Sequence, residues 1–192
     1  MRLPGKLVLV VGPSGAGKDS LLREAARILA KDPHFVFPRR VITRPSHDEA
    51  EAHDSLTADE FHIAARQGLF ALSWQAHGLH YGIPVSLDDD LQAGRTAVVN
   101  VSRAILASAS ERYPDMAVLH VTASPSILAE RLARRGRETA ADIAGRLARE
   151  PEPTPAHVEA VTILNDTTLA AATGKFVSAL LSFSKVPHAA TV

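Results

Sequence analysis

Cysteine is absent from this chain of 192 residues, which excludes a disulfide framework, a thiolate metal site and a cysteine nucleophile together. An excess of one charge is also missing. Lys plus Arg number 21 and Asp plus Glu number 21, so the formal net charge is zero. Domains that hold nucleic acid by bulk charge are strongly basic, and that class is set aside. The longest apolar run near the start, Leu7 to Val11, is too short for a signal-peptide core or a membrane span. Internal repeats and long low-complexity tracts are lacking. The nine histidines show no H-E-x-x-H or comparable spacing. His47-Asp48-Glu49 and His77-Gly78-Leu79-His80 therefore read as polar loop residues, and no zinc site is expected. What remains is one soluble domain of ordinary globular composition, expected in the cytoplasm, with no membrane and no nucleic-acid partner.

Lys6-Leu7-Val8-Leu9-Val10-Val11 is rich in β-branched residues and stops at Gly12, as a strand buried on both faces would. Leu21, Leu22, Ala25, Ile28 and Leu29 then recur at helical spacing, predicting a helix from about Lys18 to Lys31. Further strands are predicted over 97–101, 117–122 and 160–164, and further helices over 102–112, 126–135 and 169–181. Such alternation implies a parallel sheet covered on both faces. Phe35 to Thr43 can add a strand that Pro38 confines to an edge or a break. Between Thr43 and Ser86 the alternation is lost, and the segment reads as a polar insertion or small subdomain. Glu150 to Pro155 reads as a helix stop and stiff linker, and 184–192 as a frayed tail.

Gly12-Pro13-Ser14-Gly15-Ala16-Gly17-Lys18 fits the phosphate-binding pattern G-x-x-x-x-G-K. Glycines let successive backbone N–H groups curl around an anion, the following helix offers its positive end, and the lysine reaches the outer phosphates. The strand before it and the helix after it are the context the motif requires. One position departs: Asp19 stands where the pattern has Ser or Thr, followed by Ser20. Its carboxylate either contacts Mg²⁺, the assignment preferred here, or complements the helix dipole.

Arg131, Arg134, Arg135 and Arg137 surround Gly136, and Arg146 and Arg149 follow. Beside a phosphate loop they suit an arginine-bearing lid, since phosphoryl transfer is catalysed mainly by positioning and charge; the other possibility is a solvated basic helix face. Arg39, Arg40 and Arg44 flank Val41-Ile42-Thr43 and suit an anionic acceptor, or else are edge-strand charges.

The order of these pieces, from about Lys6 to Leu181, resembles the guanylate kinase branch of the P-loop nucleoside-monophosphate kinases. Ile42-Thr43-Arg44-Pro45 is similar to the start of that family's acceptor-phosphate arm. Asp59-Glu60-Phe61, Gly68-Leu69-Phe70 and His80-Tyr81-Gly82 fall in the order of its acceptor subdomain. Arg131-Leu132, Arg135-Gly136 and Arg146-Leu147 resemble its lid, and Leu164-Asn165-Asp166 its adenine-side segment. The departures are Leu72 and Ile83 in place of the glutamate and hydroxyl that read guanine, Arg40 for a serine of the arm, His47 for its second arginine, and Asn100 and Ser102 for two strand aspartates. Loss of the base-reading groups argues against GMP as acceptor.

These changes occur together in a group that the chain resembles through Gly17-Lys18-Asp19-Ser20, Leu72-Ser73-Trp74, Val99-Asn100-Val101-Ser102-Arg103 and Arg135-Gly136-Arg137-Glu138, the ribose 1,5-bisphosphate phosphokinases. The resemblance implies an α/β P-loop NTPase three-layer fold: a parallel sheet of about five strands with helices on both faces. A single domain is expected over 1–183, with its core near 6–43, 87–130 and 147–183, an acceptor-binding subdomain at 44–86 and a lid at 131–146. ATP, Mg²⁺ and a sugar bisphosphate are the implied ligands. Gly12, Pro13, Ser14, Gly15, Ala16, Gly17 and Lys18 would hold the donor phosphates, with Asp19 towards the metal and Asn165 near adenine. Arg131, Arg135 and Arg146 would close over the transferring group. Arg40, Arg44 and Tyr81 would grip acceptor phosphates, and Asn100, Ser102, Arg103, Glu51 and His53 would line the sugar. The rival readings are another small-molecule kinase of the same fold and a non-catalytic phosphate-binding module. Oligomeric state is left open.

Overall fold

A computed structural model of the chain describes residues 4–44, 53–134 and 153–184. In chain order its elements are β1 (Lys6–Val11), α1 (Lys18–Ile28), β2 (Phe35–Val36), β3 (Arg40–Ile42), β4 (His53–Ser55), α2 (Ala58–Arg66), β5 (Phe70–Ala76), β6 (Leu79–Pro84), α3 (Ser86–Gln92), β7 (Thr96–Asn100), α4 (Leu106–Arg112), β8 (Ala117–Thr122), α5 (Pro125–Arg134), β9 (Glu159–Leu164) and α6 (Leu169–Phe183). A 3-10 turn, Arg103–Ile105, leads into α4.

The main sheet has the order β2-β7-β1-β8-β9, and every pairing in it is parallel. Successive side chains of a strand point to opposite faces, and β1 shows the result. Val8 and Val10 pack with Leu21 and Ala25 of α1, Leu128 of α5 and Phe176 and Leu180 of α6. Leu7, Leu9 and Val11 pack on the other face with Leu87 and Leu91 of α3 and Leu106 of α4. Helices on both faces make this the three-layer P-loop NTPase fold. The strand order reverses its direction of growth around β1, so the crevice for ligands lies beyond the carboxyl end of that strand.

A second sheet, ordered β4-β3-β6-β5, stands on the α3 side. Its β5–β6 hairpin turns at His77 and Gly78, with φ of 52° and 74°, the two left-handed residues that a tight two-residue connection needs. Within the hairpin Leu72 faces Ile83 and Trp74 faces Tyr81. Leu72 and Ile83 join the α3 cluster, so the second sheet is fastened to the first through an apolar contact. Helices α3 and α4 are joined by Tyr113. Its hydroxyl donates to Asp88 Oδ1 at 2.6 Å while Arg112 Nη2 donates to Asp88 Oδ2 at 2.7 Å. Burial pushes the Tyr113 phenol up to about 12.

The strand expected over 35–43 is two strands in different sheets, and Pro38 sits in the break between them. Helix α1 ends at Ile28 rather than near Lys31. Helix α3, which the sequence reading did not foresee, buries Leu87 and Leu91, one helical turn apart. Ile83 is fully buried at the junction of the two sheets. Ile83→Ala is therefore expected to cost about 2–5 kcal/mol, read from the urea midpoint.

Candidate active site

The phosphate loop joins β1 to α1 through glycines whose backbone excludes other residues. At Gly12 (φ +151°) a Cβ would lie 1.9 Å from the Val121 carbonyl oxygen of β8. At Gly17 (φ +87°) it would lie 2.5 Å from Asn165 Nδ2. Lys18 opens α1, and its ammonium donates to the carbonyls of Gly12 at 2.8 Å and Pro13 at 3.0 Å. A positive charge is thereby held at the mouth of the loop, beside the electropositive start of the helix.

Two side chains brace this loop from behind. Asn165, 4% exposed, donates from Nδ2 to the Ala16 carbonyl at 2.8 Å. Its backbone N–H reaches Thr122 at 2.7 Å, and its carbonyl accepts from Arg131 Nη2 at 3.0 Å. Arg131 Nη1 also reaches the Gly15 carbonyl at 3.4 Å. Asp166 Oδ1 receives the Ser124 N–H at 2.7 Å, pinning the entry to α5. Asn165, expected near adenine, thus commits its amide to the loop backbone. Arg131, expected in the lid, lies in the last turn of α5 against the loop.

Asp19, next to Lys18, accepts from Asn100 Nδ2 at 2.8 Å on Oδ1, and among the described residues its Oδ2 receives no hydrogen bond. A carboxylate oxygen fixed beside a phosphate cradle suits a hard divalent cation, which binds through one or two carboxylates, substrate phosphates and waters. Among the described residues no group of three or more His, Cys, Asp or Glu converges. Asn100, expected to line the sugar, directs its amide at Asp19. Its carbonyl accepts from Arg40 Nη1 at 3.0 Å.

Arg40 brings the second sheet to the loop. Its guanidinium lies 5.7 Å from the centre of the Tyr81 ring, which stacks on Trp74 with centroids 5.2 Å apart. Arg44 follows β3 and is half-buried. His53 is buried in β4, and its carbonyl accepts from Arg39 Nη2 at 2.9 Å. Ser102 Oγ caps the 3-10 turn by accepting from the Ala104 N–H at 3.3 Å. Arg103 begins that turn and acts on His120. Burial and then the Arg103 charge hold the His120 imidazole below the ordinary histidine value, and its Nε2 meets Thr154 Oγ1 at 2.7 Å. Sequence reasoning missed this His120 contact; its only signal is a titratable residue inside the mostly apolar run of β8. Glu51, Arg135 and Arg146, with Arg137, Arg149 and His47, lie outside the described residues.

A phosphate cradle at the switch point of a parallel sheet, faced by a cationic strand of a second sheet, defines a P-loop protein of the small-kinase type. A family model described as an AAA domain matches residues 8–150. The chain is 57% identical to ribose 1,5-bisphosphate phosphokinase PhnN of Acidiphilium cryptum, over 95% of this chain and 96% of that one. It is 48% identical to the protein of that name from Bradyrhizobium diazoefficiens, over 84% and 81%. A bifunctional ribose 1,5-bisphosphokinase-thymidine phosphorylase of Azorhizobium caulinodans is 46% identical over 93% of this chain, which spans only 26% of that longer protein. Guanylate kinase from Anaplasma phagocytophilum shares the fold at a TM-score of 0.67 and 15% identity, over 96% of this chain and 89% of that one. The chain belongs to the ribose 1,5-bisphosphate phosphokinase family of AAA-type P-loop proteins.

Two outcomes test the site. Asn165→Ala leaves the buried Ala16 carbonyl unpaired, at a cost of about 1–3 kcal/mol in thermal melts, and weakens ATP and GTP binding alike in titrations. A residue that reads adenine would instead change the ratio between the two nucleotides. His120 has a lowered folded pKa, so the unfolded ring takes a proton that the folded ring refuses. Its contribution is intact above the ordinary value of 6.5 and lost as pH falls from there through the folded value. His120→Asn is expected to flatten that acid-side loss in denaturation curves.

Proposed function

We propose that this chain transfers the γ-phosphoryl group of ATP to the 1-phosphate of ribose 1,5-bisphosphate, giving 5-phospho-α-D-ribose 1-diphosphate. A non-bridging oxygen of the 1-phosphate forms the new bond to the γ-phosphorus, the bond to the β–γ bridging oxygen breaks, and ADP leaves. The relatives at 57% and 48% identity bear this activity in their names. The observation that carries it is the short path from donor to acceptor side: Arg40 is hydrogen-bonded to Asn100, which is hydrogen-bonded to Asp19 beside the loop lysine.

A phosphate monoester is largely ionised at pH 7, its second pKa being about 6, so no side-chain base has to create the nucleophile. That agrees with Asn100 and Ser102, neither a base, at the end of β7. The barrier is instead the approach of two polyanions. Lys18 and the loop amides hold the donor phosphates, while Arg40, Arg44 and Tyr81 hold the acceptor, with Arg103 and Ser102 towards the sugar. Glu51 and His53 belong to the same acceptor wall in this reading. Mg²⁺, held through Asp19, would neutralise charge shared by the β- and γ-phosphates. In this reading Arg135 and Arg146 would add positive charge at the transferring group, and Arg131 is held against the loop. The protein acts in the cytoplasm, where ATP is at hand.

Rejection of GMP follows from Leu72 and Ile83, which face each other across the hairpin and are buried in the apolar junction. Guanine would lose its water there and gain no partner. Phosphorus NMR of the protein with MgATP and ribose 1,5-bisphosphate should show a new diphosphate on C1 and ADP, with GMP in a parallel sample unchanged. Phosphorylation of GMP with the sugar untouched would overturn this assignment. Lys18→Ala should lower kcat by about 10²-fold or more; activity kept within about tenfold would remove Lys18 from the donor site.

A further inference from the structure

We propose that Asp19 and Asn100 are an exchanged pair: the metal-holding carboxylate sits on the loop helix instead of the neighbouring strand, and Asn100 is the positioning residue that aims it. In P-loop proteins the residue after the lysine is Ser or Thr, and a strand aspartate completes the metal site. Here the residue after Lys18 is the acid, and the residue ending β7 is an amide. The register Val10↔Asn100 sets that amide beside the strand that runs into the loop, and α1 returns Asp19 to it. The two side chains meet at 2.8 Å across 81 residues of chain.

The chemistry of the contact suits an amide rather than an acid on the strand. An ionised carboxylate only accepts hydrogen bonds, so the nitrogen of the Asn100 amide faces it and holds Oδ1. A second carboxylate in that place would set two like charges at hydrogen-bonding distance. With Oδ1 held, Oδ2 is fixed in direction. The backbone of the same residue serves the opposite side of the site, since its carbonyl accepts from Arg40. A side-chain replacement at position 100 therefore alters the donor side and leaves that acceptor contact in place.

The test compares Asp19→Ser, Asn100→Asp and the double variant, which restores the common arrangement. Each single change should reduce kcat by about 10-fold or more, with KM for ribose 1,5-bisphosphate moved less than about twofold, and the double variant should regain most of the loss. Without any nucleotide, Asn100→Asp should melt lower than the unaltered protein in EDTA and recover in millimolar Mg²⁺. The double variant should show neither effect. Losses that multiply in the double variant, or an Asn100→Asp melt identical in EDTA and Mg²⁺, would overturn the proposal. If Asn100→Asp does not fold, Asp19→Asn decides, because an amide pair keeps a hydrogen bond: native melting with reduced kcat supports the pairing, and unchanged kcat overturns it. The kinetic arm rests on the phosphoryl-transfer reading and the melting arm does not. An unaltered protein inactive on both acceptors would therefore sink that reading while the melts still judge the pair.

Discussion

A buried amide, with Arg131 beside it, holds the phosphate loop in shape. Asn165 follows β9, the last strand of the sheet, yet its side chain reaches the Ala16 carbonyl in the loop that follows the first strand. Its own backbone ties to β8 and to Arg131 of α5, so strand, helix and loop are registered against one another at one point. A loop built from glycines has large backbone freedom to lose, and a cradle of aimed N–H groups works only if that freedom is removed before the anion arrives. The same point explains Gly17, since any larger residue would meet Asn165 Nδ2. Donor-site geometry therefore depends on a residue 149 positions away in the chain.

The centre of the main sheet could be read from sequence because β7, β1 and β8 are buried on both faces and appear as largely apolar runs, separated by helices of clear period. The phosphate loop could be read because all its parts are contiguous. The second sheet could not. β4 is His53-Asp54-Ser55, three residues with two exposed, and it carries no periodic signal at all. Its surroundings did hold signals that passed unread. Thr57 and Glu60 form a reciprocal cap at the start of α2, with contacts of 2.8 and 3.2 Å, and the spacing of Thr57-Ala58-Asp59-Glu60 announces it. His77-Gly78 marks the hairpin turn in the same way.

Site residues followed the same division. Sequence reading named Asp19, Asn100, Arg131 and Asn165 by the ligand each would meet and did not see their contacts with one another, because a motif supplies identity and not partners. The structure pairs them with one another: Asp19 with Asn100 and Arg131 with Asn165, 81 and 34 residues apart. Such pairings are products of strand order and register, which no local pattern encodes. They form a supporting layer, in which two amides and a guanidinium hold the loop and its acid.

The apolar junction at Leu72 and Ile83 has a consequence for how this fold diversifies. On the proposed reading, the same two side chains fasten the acceptor sheet to the core and deny a nucleobase its hydrogen bonds. A descendant acquiring a base-reading carboxylate at either position would bury an ionised group in the apolar junction between its two sheets before any ligand repaid the loss. Exchange of one acceptor class for another is thus gated by folding stability and not by the chemistry of transfer, which the two classes share. A lineage could cross that gate only with stability to spare.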